Sequence, residues 1–367
     1  MKFICTQENL ARGLQIVNRA ASKNLALPIL NNVLIQAEPK GIILQTTNLE
    51  LGITAHIRGK VEQPGRYTVQ SRLLTDFVNL LEHERVTCEL SASGLTVVSG
   101  HTRTTMKGIS ADEFPVLPNV ADGVMTAAAS RLIQRGLEGV LFAAANDESR
   151  PEISGVYLAL EGLSLVLAAT DSYRLAERRA EITQPVSAKR EIIIPARAAQ
   201  ELLRLLSPDE AEITMTIGDN QALVRLGETE IVTRLIEGRY PDYQQIIPQQ
   251  WQTKMTIGRE ALVTNIRAAS LFCKPGINDL TIRVDSGRQQ LVLQAANAQL
   301  GEHEARLETK VEGQDNTIVF NYRYLLEGLQ SIADEEVILE LTDSQAPGVI
   351  RGPSRRDELY LLMPIRQ

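Results

Sequence analysis

The chain has 367 residues, 44% of them hydrophobic and 23% charged, with a formal net charge of -7. That length exceeds one ordinary core of about 100 to 150 residues, so two or three domains are expected, and the balanced composition excludes a low-complexity or tail-dominated chain. The acidic balance excludes adhesion to nucleic acid through the whole surface but leaves room for a basic patch.

In chain order, a short strand at Lys2-Phe3-Ile4 precedes an amphipathic helix marked by Leu10, Leu14 and Val17, whose spacing of three or four defines one buried face. Two alternating strands then lead to a turn at Thr47-Asn48-Leu49, where Asn bonds nearby backbone. A second helix carries Leu73, Leu74, Phe77, Leu80 and Leu81, and strands Val86 to Leu90 and Leu95 to Val98 pair behind it. The segment Asp112-Glu113-Phe114-Pro115-Val116-Leu117-Pro118 ends regular structure, because proline lacks a ladder donor.

The same order then returns twice. Val124-Met125 precedes Leu132, Leu137 and Val140; the turn is Thr170-Asp171-Ser172; and Ala198, Ala199, Leu202, Leu205 and Leu206 repeat the second helix 125 positions later. Strands Glu212 to Ile217 and Ala222 to Leu226 follow, then the linker Gly238-Arg239-Tyr240-Pro241-Asp242-Tyr243. The third copy runs from Met255-Thr256-Ile257 through Leu262, Ile266 and Ala269, the turn Ala296-Asn297-Ala298, and the helix of Leu325, Leu326, Leu329 and Ile332, and closes with Val337 to Leu341 paired to Leu359 to Met363. A fixed period identifies the architecture before any motif does. The expectation is an α+β protein of three repeated domains, 1–121, 122–250 and 251–367, each with two helices on one sheet face and strands outside.

Cys5, Cys88 and Cys273 are widely spaced and the four histidines stand far from them in sequence, so reduced thiols, no metal and no cofactor are expected. No run approaches the roughly 20 apolar residues that span a bilayer, and Met1 leads into polar Gln7-Glu8-Asn9, so no membrane contact and a cytoplasmic location are expected.

The polar helix faces carry cations. Arg12, Arg19 and Lys23 lie near one face of the first helix, Arg131 and Arg135 and then Arg259 and Arg267 recur on its counterparts, and Arg72, Arg197 and Arg323 open the three second helices. Any one of these would read as a solvated surface face. Recurrence at the same place in every copy points instead to a polyanion with its own repeat, held through phosphates without base reading. Glu8, Glu138, Glu201, Glu260 and Glu327 interrupt the faces, so each contact should be weak and salt dependent.

The threefold repeat, the opening Met1-Lys2-Phe3, the segment Leu27-Pro28-Ile29-Leu30, the run Ala169-Thr170-Asp171-Ser172-Tyr173-Arg174-Leu175 and the ending Met363-Pro364-Ile365-Arg366 resemble the bacterial DNA polymerase III beta subunit family over essentially the whole chain. The resemblance implies a head-to-tail homodimer whose six domains close a ring, a heterologous contact that closes when the rotation permits. Such a ring is a sliding clamp: it holds double-stranded DNA without regard to sequence and tethers a polymerase, without being an enzyme. The resemblance also implies a cleft beside the second domain that takes a linear peptide from the DNA polymerase III alpha subunit, the clamp loader, other polymerases and repair proteins. Its matching positions are Ile153, Thr170, Ser172, Tyr173, Arg174, Leu175, Pro241, Gln245, Ile246, Leu361, Leu362, Met363, Pro364 and Arg366. Leu175, Ile246, Leu362 and Met363 would accept apolar anchors, and Thr170, Arg174 and Arg366 would orient the peptide.

Family contacts to DNA map to Lys23, Asn24, Arg72, Arg197 and Arg150, and the dimer contact maps to Leu271 and Phe272 against Thr104 and Met106. The chain departs from the common pattern at Ser172 and Tyr173, where Gly and His are frequent, at Gln245 in place of a basic residue, at Asn24, which lacks a charge, and at Gln367. A repeat scaffold that binds proteins without encircling DNA is the alternative, favoured by the net charge and opposed by the recurring arginines. An enzyme using Asp171, Tyr173 and Arg174 is a further alternative, opposed by the lack of any phosphate-cradling, nucleophile-elbow or metal-binding motif.

Overall fold

A computed structural model describes residues 1–22, 26–82, 84–118, 120, 122–147, 149–206 and 212–366. Six α-helices lie among them: α1 (Gln7–Val17), α2 (Ser71–Asn79), α3 (Ser130–Val140), α4 (Ala196–Leu205), α5 (Arg259–Ser270) and α6 (Tyr322–Ser331). They fall at the repeated positions, two per copy.

α1 and α6 begin where a polar side chain caps an apolar stripe. The Thr6 hydroxyl accepts from Asn9 N at 3.2 Å to start α1, and the Asn321 side chain accepts from Arg323 N at 3.0 Å to start α6. α1 buries Leu10, Leu14 and Val17 completely, at roughly 1.5 to 3 kcal/mol for each side chain removed from water. Gly13 brings this helix onto the sheet: a Cβ there would stand 2.6 Å from Ile57 Cγ2, and one at Gly136 of α3 would stand 2.9 Å from Leu167. Both positions need glycine for the same close approach, 123 residues apart.

The chain gathers into two compact units, one of residues Met1–Arg131, Ile182–Ala188 and Gln200–Leu235, the other of Leu132–Glu181, Lys189–Ala199 and Ile236–Gln367. The central copy is therefore divided. The cause is strand pairing across the copy boundaries. In the first unit, strand Leu51–Ile57 of copy one pairs antiparallel with Thr229–Arg234 of copy two, Ile53 opposite Ile231, and so builds a nine-stranded sheet. In the second, Arg174 to Arg178 of copy two pair antiparallel with strand Glu358–Leu362 of copy three, Ala176 opposite Tyr360, within a seven-stranded sheet.

One expected pairing differs. Strand Glu336–Leu341 pairs with Gly348–Arg351 rather than with the terminal strand, because Glu358–Leu362 lies one strand further on, between Gly348–Arg351 and Arg174 to Arg178. The sequence reading missed the intervening Gly348–Arg351, a strand of only four residues.

The repeat is exact enough to recur in single hydrogen bonds. The Thr47 hydroxyl donates to Leu51 O at 2.9 Å and accepts from Leu49 N at 3.0 Å; the Thr170 hydroxyl donates to Arg174 O at 2.6 Å and accepts from Ser172 N at 3.1 Å. Asn48 Oδ1 accepts from Glu50 N and Leu51 N, as Asp171 Oδ1 accepts from Tyr173 N and Arg174 N. These bonds hold Leu49 and Ser172 at the same φ of 78°, a left-handed conformation. Copy three has Ala296 in place of the threonine and keeps the Asn297 bond to Gln299 N.

Thr170→Ala removes both hydroxyl bonds and leaves the left-handed Ser172 turn held by the Asp171 bonds, and it is expected to lower unfolding free energy by about 1 to 2 kcal/mol. Urea denaturation checks this; an unchanged midpoint contradicts it.

Candidate functional site

The expected cleft residues do converge, but not in equal roles. Ile153, Leu175 and Leu361 belong to one buried cluster with Ala145, Ala168, Ile193, Tyr240 and Tyr243, and Met363 packs against it half-buried. Leu175, Leu361 and Leu362 are fully buried, so they form the floor rather than the anchor-accepting surface expected of Leu175 and Leu362. Strand pairing explains this, since Leu175 lies opposite Leu361 and Arg174 opposite Leu362 within the sheet. What faces solvent is Tyr173, 63% exposed, and Ile246, 46% exposed, with Ser172, Gln245 and Arg366 exposed and Pro241, Met363 and Pro364 half-buried around them.

Two segments carry these side chains. The C-terminal strand runs into Met363, whose N–H donates to Tyr173 O at 2.9 Å. The linker turn at Tyr243–Ile246 is held from below: the Tyr243 hydroxyl donates to Glu177 Oε2 at 2.6 Å, and Gln245 donates to Asp242 at 2.9 Å. Tyr157 stacks on Tyr240 at 4.9 Å, and both Tyr157 and Tyr240 meet the edge of Tyr243.

Arg174 is engaged on every side within the fold. Its Nε donates to Asp171 Oδ2 at 2.9 Å, one terminal nitrogen pairs with Glu327 of α6, and the other donates to Phe142 O at 2.7 Å. Its guanidinium carbon lies 4.4 Å from the Tyr324 ring centre and 5.5 Å from that of Phe142, and Tyr173 also stacks on Tyr324. Burial would push this guanidinium down, but the hydrogen bond to Glu327, with Tyr360, Asp171 and the charge of Glu327, more than offsets it and raises it. Arg174 thus fixes the Asp171–Tyr173 turn to α6. Thr170 likewise has both hydroxyl functions occupied within the turn.

Sequence reasoning missed Phe142 and Tyr324, and took Glu327 only as an acid that interrupts a cationic helix face. Register could have found them: Tyr324 and Glu327 follow the opening Tyr322 of α6 by the same steps as Leu73 and Asp76 follow Ser71 of α2.

Of the expected DNA-binding residues, Arg12, Arg19, Arg72, Arg131, Arg135, Arg150, Arg197, Arg267 and Arg323 are exposed. Lys23 and Asn24 lie outside the described residues. Arg259 is half-buried and its Nε donates to Asp334 O at 2.9 Å, so it serves to hold the start of α5. Arg19 pairs with Glu201 at 3.6 Å and Arg72 with Asp76 at 3.7 Å. Arg150 donates to Ser172 at 2.7 Å and pairs with Glu152 at 3.3 Å, which puts it at the rim of the cleft. Among the described residues, Arg12, Arg131, Arg135, Arg197 and Arg267 make no ion pair, no group of His, Cys, Asp and Glu could hold a metal, and no helix is long and apolar enough to cross a membrane.

Three copies of one α+β unit, joined by strand pairs, define a three-domain clamp. The chain belongs to the DNA polymerase III beta subunit family: its N-terminal, central and C-terminal domain descriptions match residues 1–118, 128–242 and 244–366. Curated relatives agree over full length: the beta sliding clamp of Synechocystis is 32% identical over 100% of this chain and 99% of its own, and that of Bacillus subtilis is 27% identical over 100% of both. Among solved structures, the Bacillus subtilis DNA polymerase sliding clamp superposes with a TM-score of 0.96 at 25% identity, covering 100% of this chain and 99% of that one. A Pseudomonas aeruginosa sliding clamp bound to griselimycin superposes at 0.95 with 26% identity, covering 100% of both chains.

Burial pushes the phenol of Tyr157 up to about 12 and raises those of Tyr240, Tyr243 and Tyr360, with the Glu177 hydrogen bond adding to Tyr243. A raised folded value means stability that is fully present below the unfolded value, about 10 for tyrosine, and lost as pH rises toward the folded one. Urea midpoints are expected to fall above about pH 10, and to fall less steeply in Tyr243→Phe; parallel pH curves for the two proteins contradict this.

Proposed function

We propose that two copies of this chain close into a ring around duplex DNA, and that the cleft tethers the replicative polymerase, the clamp loader and other replication and repair proteins through a linear peptide. Strand edges carry this reading. Thr102–Met106 ends the five-stranded sheet of copy one, and Gly301–Glu308 ends the four-stranded sheet of copy three. They are the counterparts of the strands paired at the two internal junctions. An unpaired edge presents a row of free N–H and C=O groups that templates another strand.

The internal junctions give the register. Thr104 lies opposite Val97 as Ile231 lies opposite Val224, and His303 lies opposite Ala295 as Ile53 lies opposite Thr46. Pairing one copy's Gly301–Glu308 with the other's Thr102–Met106 in that register sets His303 against Thr104 and Glu304 against Arg103. Opposite charges meet, which favours this pair over edges of like sign. Leu73 of α2 and Leu80, which caps its C-terminus, are 51% and 80% exposed, while Ala198 is 4% exposed at the place of Leu73. Together with Phe77 of copy one, and with Leu271 and Phe272 after α5, they supply the apolar part of the closing contact, while Met106, also expected there, is only 4% exposed in the single chain.

A closed ring needs only weak electrostatic contact with DNA, since leaving requires opening, so a chain of net charge -7 can both hold and slide. The exposed arginines at matching places in all three copies supply that contact and disfavour a scaffold that never meets DNA. The protein performs no chemistry in this role and acts in the cytoplasm. At the cleft, Tyr173, Pro241, Ile246 and Met363 meet the peptide, and the buried leucines support them.

Loaded by a clamp loader onto nicked circular plasmid, the protein is expected to co-purify with the plasmid and to be lost on linearisation. Equal retention on linear DNA points to ordinary electrostatic binding, and no retention favours the scaffold. Ile246→Asp, at an exposed position that leaves the floor intact, is expected to weaken binding of a fluorescent polymerase-derived peptide about tenfold or more; unchanged affinity removes Ile246 from the cleft.

A further inference from the structure

The closing strand pair differs from the internal ones at its inner face. There the internal junctions set Ile53 against Ile231 and Ala176 against Tyr360, and all four residues are buried. The corresponding positions of the closing pair are His303 and Thr104, an imidazole and a hydroxyl in place of two apolar groups.

His303 projects from an edge strand on the same face as Ala305 and Leu307, toward the side covered by α5. Its ring lies nearly parallel to that of Phe272, 5.6 Å away at 13°. Its Nε2 is buried and has no hydrogen-bond partner among the described residues. Thr104, half-buried on the opposite edge strand, makes no side-chain hydrogen bond among the described residues either. A buried polar atom without a partner is unfavourable, and edge strands of single chains are where such atoms await a second chain.

We propose that His303 Nε2 and the partner's Thr104 hydroxyl hydrogen-bond across the closing junction, and that this pair, held in plane by Phe272, sets the register of the ring. The hydroxyl both donates and accepts, so it satisfies Nε2 in either imidazole tautomer. A slip of the partner strand by one residue would set Arg103 or Thr105, whose side chains point to the other face of that strand, opposite His303 and leave Nε2 without its acceptor or donor, so the bond rewards one register where apolar pairs tolerate several. The position thereby discriminates in favour of a second copy of this chain over other strand edges. This rests on the ring reading above.

The test is a double-mutant cycle on the dimer dissociation constant, measured by sedimentation with the full chain, for wild type, His303→Ala, Thr104→Val and the double variant. Each single change is expected to weaken the dimer about tenfold and the double change little further, a coupling of about 1.4 kcal/mol. His303→Ile with Thr104→Ile, which copies the first internal junction, is expected to restore the dimer. Additive losses, or a Thr104→Val dimer as tight as wild type, overturn the proposed bond while leaving the ring intact. A wild-type chain that is monomeric at micromolar concentration overturns the ring reading itself.

Discussion

Antiparallel pairing of strands across copy boundaries is the interaction on which the rest of this protein depends. A sheet that stops at a copy boundary leaves backbone donors and acceptors unsatisfied, and the chain answers by joining Leu51–Ile57 to Thr229–Arg234 and Arg174 to Arg178 to Glu358–Leu362 in one common register. Each join takes one strand from each of two copies, which is why compact units cut through the central copy. A chain of three such copies leaves one junction strand without its partner at each end of the series, and these two strands carry opposite predominant charge, with Arg103 on one and Glu302 and Glu304 on the other.

The cleft is a by-product of the second join. Pairing Arg174 to Arg178 with the terminal strand brings the Thr170–Arg174 turn beside Met363, and the linker turn at Tyr243 docks onto Glu177 of that same strand. Arg174 then ties the turn to α6 through Glu327 and to Phe142 O. The fully buried Leu175, Leu361 and Leu362 thus lie close to the exposed side chains of Tyr173 and Ile246.

Much of this was legible in the sequence. The repeat, the helix stripes of Leu10, Leu14 and Val17 and of Leu262, Ile266 and Ala269, and the related turns depend on local spacing, which periodicity reports directly. Burial that depends on another copy is not local. Leu73 and Leu80 have the spacing of core residues yet are exposed, and Leu175 and Leu362 have the chemistry of a binding surface yet are sealed in a sheet. The partners that hold Arg174 were out of reach for the same reason: Phe142 and Glu327 stand 32 and 153 positions away. Tyr173, by contrast, was singled out by its departure from the family pattern, and it is the most exposed aromatic group at the cleft, stacked on Tyr324.

The central claim is that the closing junction repeats the register of the two internal ones. Oxidative cross-linking tests it directly, with Arg103→Cys and Glu304→Cys in one chain, since directly opposed strand positions match disulfide geometry and the three native cysteines are buried. The account predicts a covalent dimer linked at both junctions, and far less product when the second cysteine is moved to Ala305 or His303. Efficient linkage at the displaced positions, or a chain that stays uncrosslinked under oxidation, would contradict it.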